Sequence, residues 1–72
     1  MNIRPMNIRL NGDDKTVDAA TIAELLSSMG VADGARGIAV ALNGDVVPRG
    51  RWAEAGLKPG DDVEVVRPFA GG

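Results

Sequence analysis

The residues of this chain best suited to chemistry are its last two. Gly71 and Gly72 close the stretch Val65-Val66-Arg67-Pro68-Phe69-Ala70-Gly71-Gly72, which reads as a strand running straight into a diglycine. Glycine loses more backbone freedom on ordering than any other residue, roughly 0.5–1 kcal/mol relative to alanine, so the pair gives the strand nothing. Two readings are open. The residues are a frayed end, as termini commonly are, or the free carboxylate of Gly72 is the working group. On the second reading a tail without β-carbons threads a narrow channel into another enzyme's active site. Extended at ~3.6 Å per residue, the residues after Phe69 carry that carboxylate about 10 Å from the folded body.

The rest of the composition removes most other chemistry. The chain has no cysteine and no histidine, hence no disulfide, no thiolate metal site, no imidazole base and no nucleophilic thiol. Asp13-Asp14 and Asp61-Asp62 sit at turn signals without the graded oxygen spacing of a calcium loop, so no metal is expected. Gly12, Gly44 and Gly60 do turn work, and no phosphate-cradling motif is present. Eight basic residues against ten acidic ones give a net charge of −2, which disfavours nucleic acid as a partner. No apolar run approaches the roughly 20 residues of a membrane span and no signal-peptide pattern opens the chain, which reads as cytoplasmic. With 72 residues there is one core and no cleft between domains.

The tail needs a body to hold it. Met6, Ile8 and Leu10 alternate with Asn7 and Arg9 as in a half-buried strand, Asn11-Gly12-Asp13 signals a tight turn, and Lys15 to Ala19 returns as a second strand. Thr21 and Glu24 have capping-box spacing. Ile22, Leu25, Leu26 and Met29 then follow one helical face until Gly30. A third strand alternates over Ile38, Val40 and Leu42, and Asn43-Gly44-Asp45 turns into a short fourth strand at Val46-Val47 that Pro48 ends. Arg49 to Ala55 reads as a short helical turn, Pro59-Gly60 as a turn and Asp62 to Pro68 as the last strand. Two hairpins around one helix most economically give an α+β protein of the β-grasp (ubiquitin-like) type. It has a mixed sheet of four to five strands, one main helix packed on one face, and the last strand central beside the first and third. Residues 1–5, where "MNIRP" precedes "MNIRL", read as an N-terminal extension, 6–68 as the domain and 69–72 as a flexible tail.

Period 2 in the last strand puts Val63 and Val65 on one face and Glu64, Val66 and Pro68 on the other. With Val63 and Val65 toward the helix, Val66 and Pro68 join Ala39 and Ala41 in an apolar strip on the open sheet face, ending at Phe69. Beside the working tail, that strip is a candidate docking surface. Arg67 is a candidate for pairing with an acid on the partner, or a solvated charge at the strand end. Trp52 reads as a lid over the core edge.

From Gly37 to Gly72 the sequence resembles the sulfur carrier proteins of thiamin thiazole biosynthesis, the ThiS family. The elements that carry the resemblance are "ALNGDVVPR", Trp52 three residues past Arg49, the "L..GD.VEVV" approach and the closing "AGG" of Ala70-Gly71-Gly72. The first half matches only in its strand-strand-helix layout, and the extra residues before Met6 depart from the pattern. The resemblance implies a protein that is not itself an enzyme and binds no cofactor. An E1-like adenylating enzyme would use ATP to convert the Gly72 carboxylate to an acyl adenylate. Sulfur of the persulfide type would displace AMP, and the Gly72 thiocarboxylate would donate sulfur to thiazole synthase.

Three rival readings share the ending. The small subunit of molybdopterin synthase has the same fold, diglycine and thiocarboxylate, but "VVPRGRW" resembles the thiazole carrier more. A protein modifier would join Gly72 to a lysine, and a plain interaction module would leave the tail inert.

Overall fold

A computed structural model describes residues 5–32 and 35–67. Its five strands form one sheet in the order β2-β1-β5-β3-β4, with β1 at Met6–Leu10, β2 at Asp13–Val17, β3 at Ala39–Leu42, β4 at Asp45–Val46 and β5 at Asp62–Val66. β1 and β5 run parallel and the other neighbours antiparallel, so the sheet is mixed and the last strand is central, as the layout of elements required. Pro68 and the tail lie outside the described residues, and so do residues 1–4 of the expected extension.

Both hairpins turn on two residues. Asn11 and Gly12 have φ of 52° and 86°, and Asn43 and Gly44 have 51° and 90°. Two successive positive φ angles make the primed turn that matches strand twist, and Asn-Gly tolerates them best. The compact turns also correct two strand boundaries. Asp13 already pairs with Leu10, so β2 starts at Asp13 and ends at Val17 rather than running from Lys15 to Ala19. Asp45 pairs with Leu42, so β4 is Asp45–Val46, one residue earlier than the sequence reading.

α1 spans Ile22–Ser28. Thr21 accepts the Glu24 amide on its hydroxyl at 3.2 Å, while the Glu24 carboxylate accepts the Ala20 amide at 2.8 Å. This is the reciprocal arrangement of a capping box, displaced by one residue on the return bond. At the other end Gly30, with φ of 86°, donates to Ser27, and Val31 donates to Leu26. These two bonds close a Schellman motif.

The helix packs Ile22, Leu25 and Leu26 against Ile8, Val40, Val63 and Val65 of the sheet, with Ala19 and Leu57 completing the buried core. At roughly 1.5–3 kcal/mol per buried aliphatic side chain, the three helix residues alone contribute about 5–9 kcal/mol before entropy is charged. A domain of this size is stable by only about 4–11 kcal/mol in total. The core side of β5 is therefore fixed without ambiguity. Val63 and Val65 point inward, and Glu64 and Val66 point out.

Candidate functional site

The strand that leads to the tail is held on both sides by side chains of the two turns. Asn11 accepts the Val65 amide on Oδ1 at 2.8 Å, and Asn43 accepts the Asp62 amide on Oδ1 at 2.9 Å. The Asn11 and Asn43 backbone amides donate in turn to the carbonyls of Val63 and Asp62. Each asparagine thus extends its hairpin's hydrogen-bond ladder onto β5 at the point where strand pairing gives out. The Asn43 amide group also donates to Asp61 at 3.0 Å. Asp61 is 6% exposed, and its other oxygen accepts the Lys58 amide at 2.8 Å. The acidic pair read as a turn is therefore a hub that ties the loop before β5 to the β3–β4 turn.

On the open face the register places Val66 beside Ala39, and Glu64 beside Ala41, which in turn pairs with Val46. Val66 is 62% exposed and Val46 76% exposed. Ala39 is exposed and Ala41 half-buried. The structure thus brings together Val66, Ala39 and Ala41 as expected and adds Val46, which the sequence reading left out. The signal for Val46 was available: a two-residue turn at Asn43-Gly44 forces position 46 opposite position 41, on the same face. Next to this apolar patch lies the carboxylate of Glu64, followed by the row Asp14, Arg9 and Asp62, which are cross-strand neighbours.

Arg67 behaves differently from the residues it was grouped with. Its guanidinium donates to the Met29 carbonyl at the C-terminal end of α1, at 3.2 Å, on the helix side of the sheet. The candidate docking residues Pro68 and Phe69 and the tail residues Ala70, Gly71 and Gly72 lie outside the described residues.

The "VVPRGRW" element also acquires a physical role. Pro48 ends β4 and leads into a 3₁₀ turn at Arg49–Arg51. Trp52, half-buried against the core, donates its indole N–H to the Val47 carbonyl at 2.9 Å. Its own carbonyl accepts the Ala23 amide in the first turn of α1. The Arg49 guanidinium lies over the indole, 4.8 Å from the ring centroid, and donates to the Ala35 carbonyl. One tryptophan therefore joins the helix, β4 and, through Arg49, the loop before β3. Among the described residues no group of carboxylates is placed to hold a metal ion, and no helix is long and apolar enough to cross a membrane.

A helix lying across a mixed sheet whose last strand is central, with a patch of small apolar residues on the open face, defines a ubiquitin-like β-grasp protein. The ThiS family profile matches residues 8–72. The crystal structure of the thiamine biosynthesis protein (ThiS) of Geobacter metallireducens is 40% identical and superposes with a TM-score of 0.74, covering 93% of this chain and all of that one. The solution structure of a thiamine biosynthesis protein from the same organism is also 40% identical, with a TM-score of 0.75 over 93% of this chain and 88% of that one. A thiazole synthase of Paramagnetospirillum magneticum is 32% identical over 68 residues, which are 93% of this chain and 20% of the relative. The chain thus spans about a fifth of the length of that curated relative. It belongs to the ThiS family.

Proposed function

We propose that the chain carries sulfur as a thiocarboxylate on Gly72 and performs no catalysis of its own. The observation that supports this most directly is that the family match runs through the diglycine to residue 72. The strand that leads toward it is the central one of the sheet, clasped at its start by Asn43 and near its end by Asn11. A carboxylate becomes electrophilic only when one oxygen is turned into a leaving group. In this reading an adenylating enzyme lets the Gly72 carboxylate attack the α-phosphate of ATP, releasing pyrophosphate and leaving an acyl adenylate. The terminal sulfur of a persulfide then attacks the carbonyl carbon and AMP departs. A thiol reduces the resulting acyl disulfide to the thiocarboxylate, which passes its sulfur to thiazole synthase.

The chain's own residues bind and orient rather than react, which agrees with the lack of cysteine and histidine. Glycine at 71 and 72 leaves the carboxylate free of side-chain bulk that would hinder its in-line attack on the α-phosphate of ATP in a confined site. The patch of Val66, Ala39, Ala41 and Val46 on the open face of the sheet is the docking surface for the partners. Pairing with a thiazole synthase is supported by the relative of that name, in which this domain corresponds to one fifth of a longer chain. The thiamin pathway is preferred to molybdopterin formation on the likeness to the Geobacter protein. The protein works in the cytoplasm, where ATP and persulfide donors are at hand.

The test is intact-mass analysis after incubation with the adenylating enzyme of the same organism, ATP, a persulfide source and a thiol. Exchange of one oxygen for sulfur, mapped by fragmentation to Gly72, is the expected result. No exchange, or a lysine conjugate in its place, overturns the carrier reading.

A further inference from the structure

We propose that Arg67 is a positioning residue, a latch between the end of β5 and the C-terminal end of α1 that sets the direction in which the chain leaves the domain. This rests on the carrier reading for its consequence but on geometry for its existence. The clasp on β5 weakens toward its end. β1 stops at Leu10, opposite Val63, and the Asn11 side chain extends that side only as far as the Val65 amide. Val66, the last residue of the strand, is paired with Ala39 on the β3 side alone. The next restraint among the described residues is the Arg67 side chain.

Its partner is suited to it. The C-terminal end of a helix carries about half a negative charge, and a cation there is stabilising. α1 has no basic residue of its own in its last turn. The carbonyls of Leu25, Leu26 and Ser27 are taken up locally by Met29, Gly30 and Val31, whereas the Met29 carbonyl receives Arg67, 38 residues away in sequence. Among the described residues Arg67 has no carboxylate partner that would compete for the guanidinium. Strand alternation puts residue 67 on the inward side with Val63 and Val65, so the side chain meets the helix without turning around the sheet edge.

The consequence is leverage. Five residues follow Arg67, about 18 Å of chain when extended, and any swing at residue 67 is multiplied over that length. Entry of the tail into a narrow channel then requires the direction at its base to be found again at each encounter. Losing the latch adds the ordering cost of about one residue to productive binding, which corresponds to about fivefold in KM of the adenylating enzyme for the carrier. The rate from the bound state is unchanged, because the reacting atoms are the same.

The experiment compares the wild-type chain with Arg67→Met, which keeps the apolar stem and loses every donor, and Arg67→Lys, which keeps a cationic donor. Residual dipolar couplings of the amides from residue 65 onward are measured for each, followed by ATP–pyrophosphate exchange against carrier concentration. We expect the coupling at residue 67 to collapse toward zero in Arg67→Met, KM to rise about fivefold with kcat constant, and Arg67→Lys to recover most of both. Unchanged couplings in Arg67→Met overturn the latch, and a rise in KM without such a change would mean that Arg67 touches the partner directly. Altered couplings with unaltered KM overturn its role in positioning. If the wild-type chain is not adenylated at all, the carrier reading fails, while the couplings still decide whether the latch exists.

Discussion

Asp61→Ala tests whether the start of β5 is held by a buried polar hub. The carboxylate is 6% exposed, accepts the Lys58 amide on one oxygen at 2.8 Å and the Asn43 amide group on the other at 3.0 Å. Hydrogen bonds to a charged acceptor contribute about 1.5–3 kcal/mol each. Water can replace part of the loss, since Lys58 and Asn43 are themselves exposed, and relieving the desolvated carboxylate offsets another part. The net cost is then about 2–3 kcal/mol, a large share of the ~4–11 kcal/mol available to a chain of this length. Urea unfolding followed by circular dichroism reads it directly as a lower midpoint with an unchanged slope. The melting temperature falls by more than about 8 °C. A double-mutant cycle with Asn43→Gly, which keeps the positive φ and removes the amide, should return a coupling of about 1 kcal/mol. A loss below about 0.5 kcal/mol for Asp61→Ala, or additive single effects, would refute the hub and leave Asp61 an ordinary turn residue.

Other outcomes follow from the same geometry. Val66→Glu and Val46→Glu should each change folding stability by no more than about 0.5 kcal/mol, because both positions are exposed. Both should weaken binding to the adenylating enzyme in calorimetry, and intact binding would remove the patch from the docking surface. Trp52→Phe keeps the ring against the core but deletes the donor to Val47, for an expected loss of about 1 kcal/mol in denaturant unfolding. Leu25→Ala, at a site 1% exposed, should cost about 2–5 kcal/mol and leave the domain partly unfolded at 37 °C by circular dichroism. Gly71→Val should leave unfolding unaltered and suppress ATP–pyrophosphate exchange, since a β-branched residue both stiffens and widens the tail. Exchange at the wild-type rate would show that bulk at 71 is not limiting.

Much of this arrangement was legible in the sequence because its causes are local. The helix from Thr21 to Gly30 follows from apolar spacing and from caps that bond within a few residues of themselves. Both hairpins follow from Asn-Gly, which accepts two positive φ angles in succession. Alternation sorted Val63 and Val65 onto one face and Val66, with Ala39 and Ala41 of the neighbouring strand, onto the other, and the packed helix decided which of the two is inward. The choice of a central last strand followed from having two hairpins and one helix to cover. What remained was decided by residues far apart in the chain. Asn11 bonds β5 across 54 residues, Arg67 finds Met29 across 38 and Asn43 finds Asp61 across 18. No periodicity or turn preference records such pairings, because each exists only after the sheet has set its register and the helix has settled on it. Arg67 shows the difference most clearly. In the sequence it is a cation at a strand end, open to any acid. In the folded chain, the dipole of a helix packed on the same face of the sheet supplies its partner.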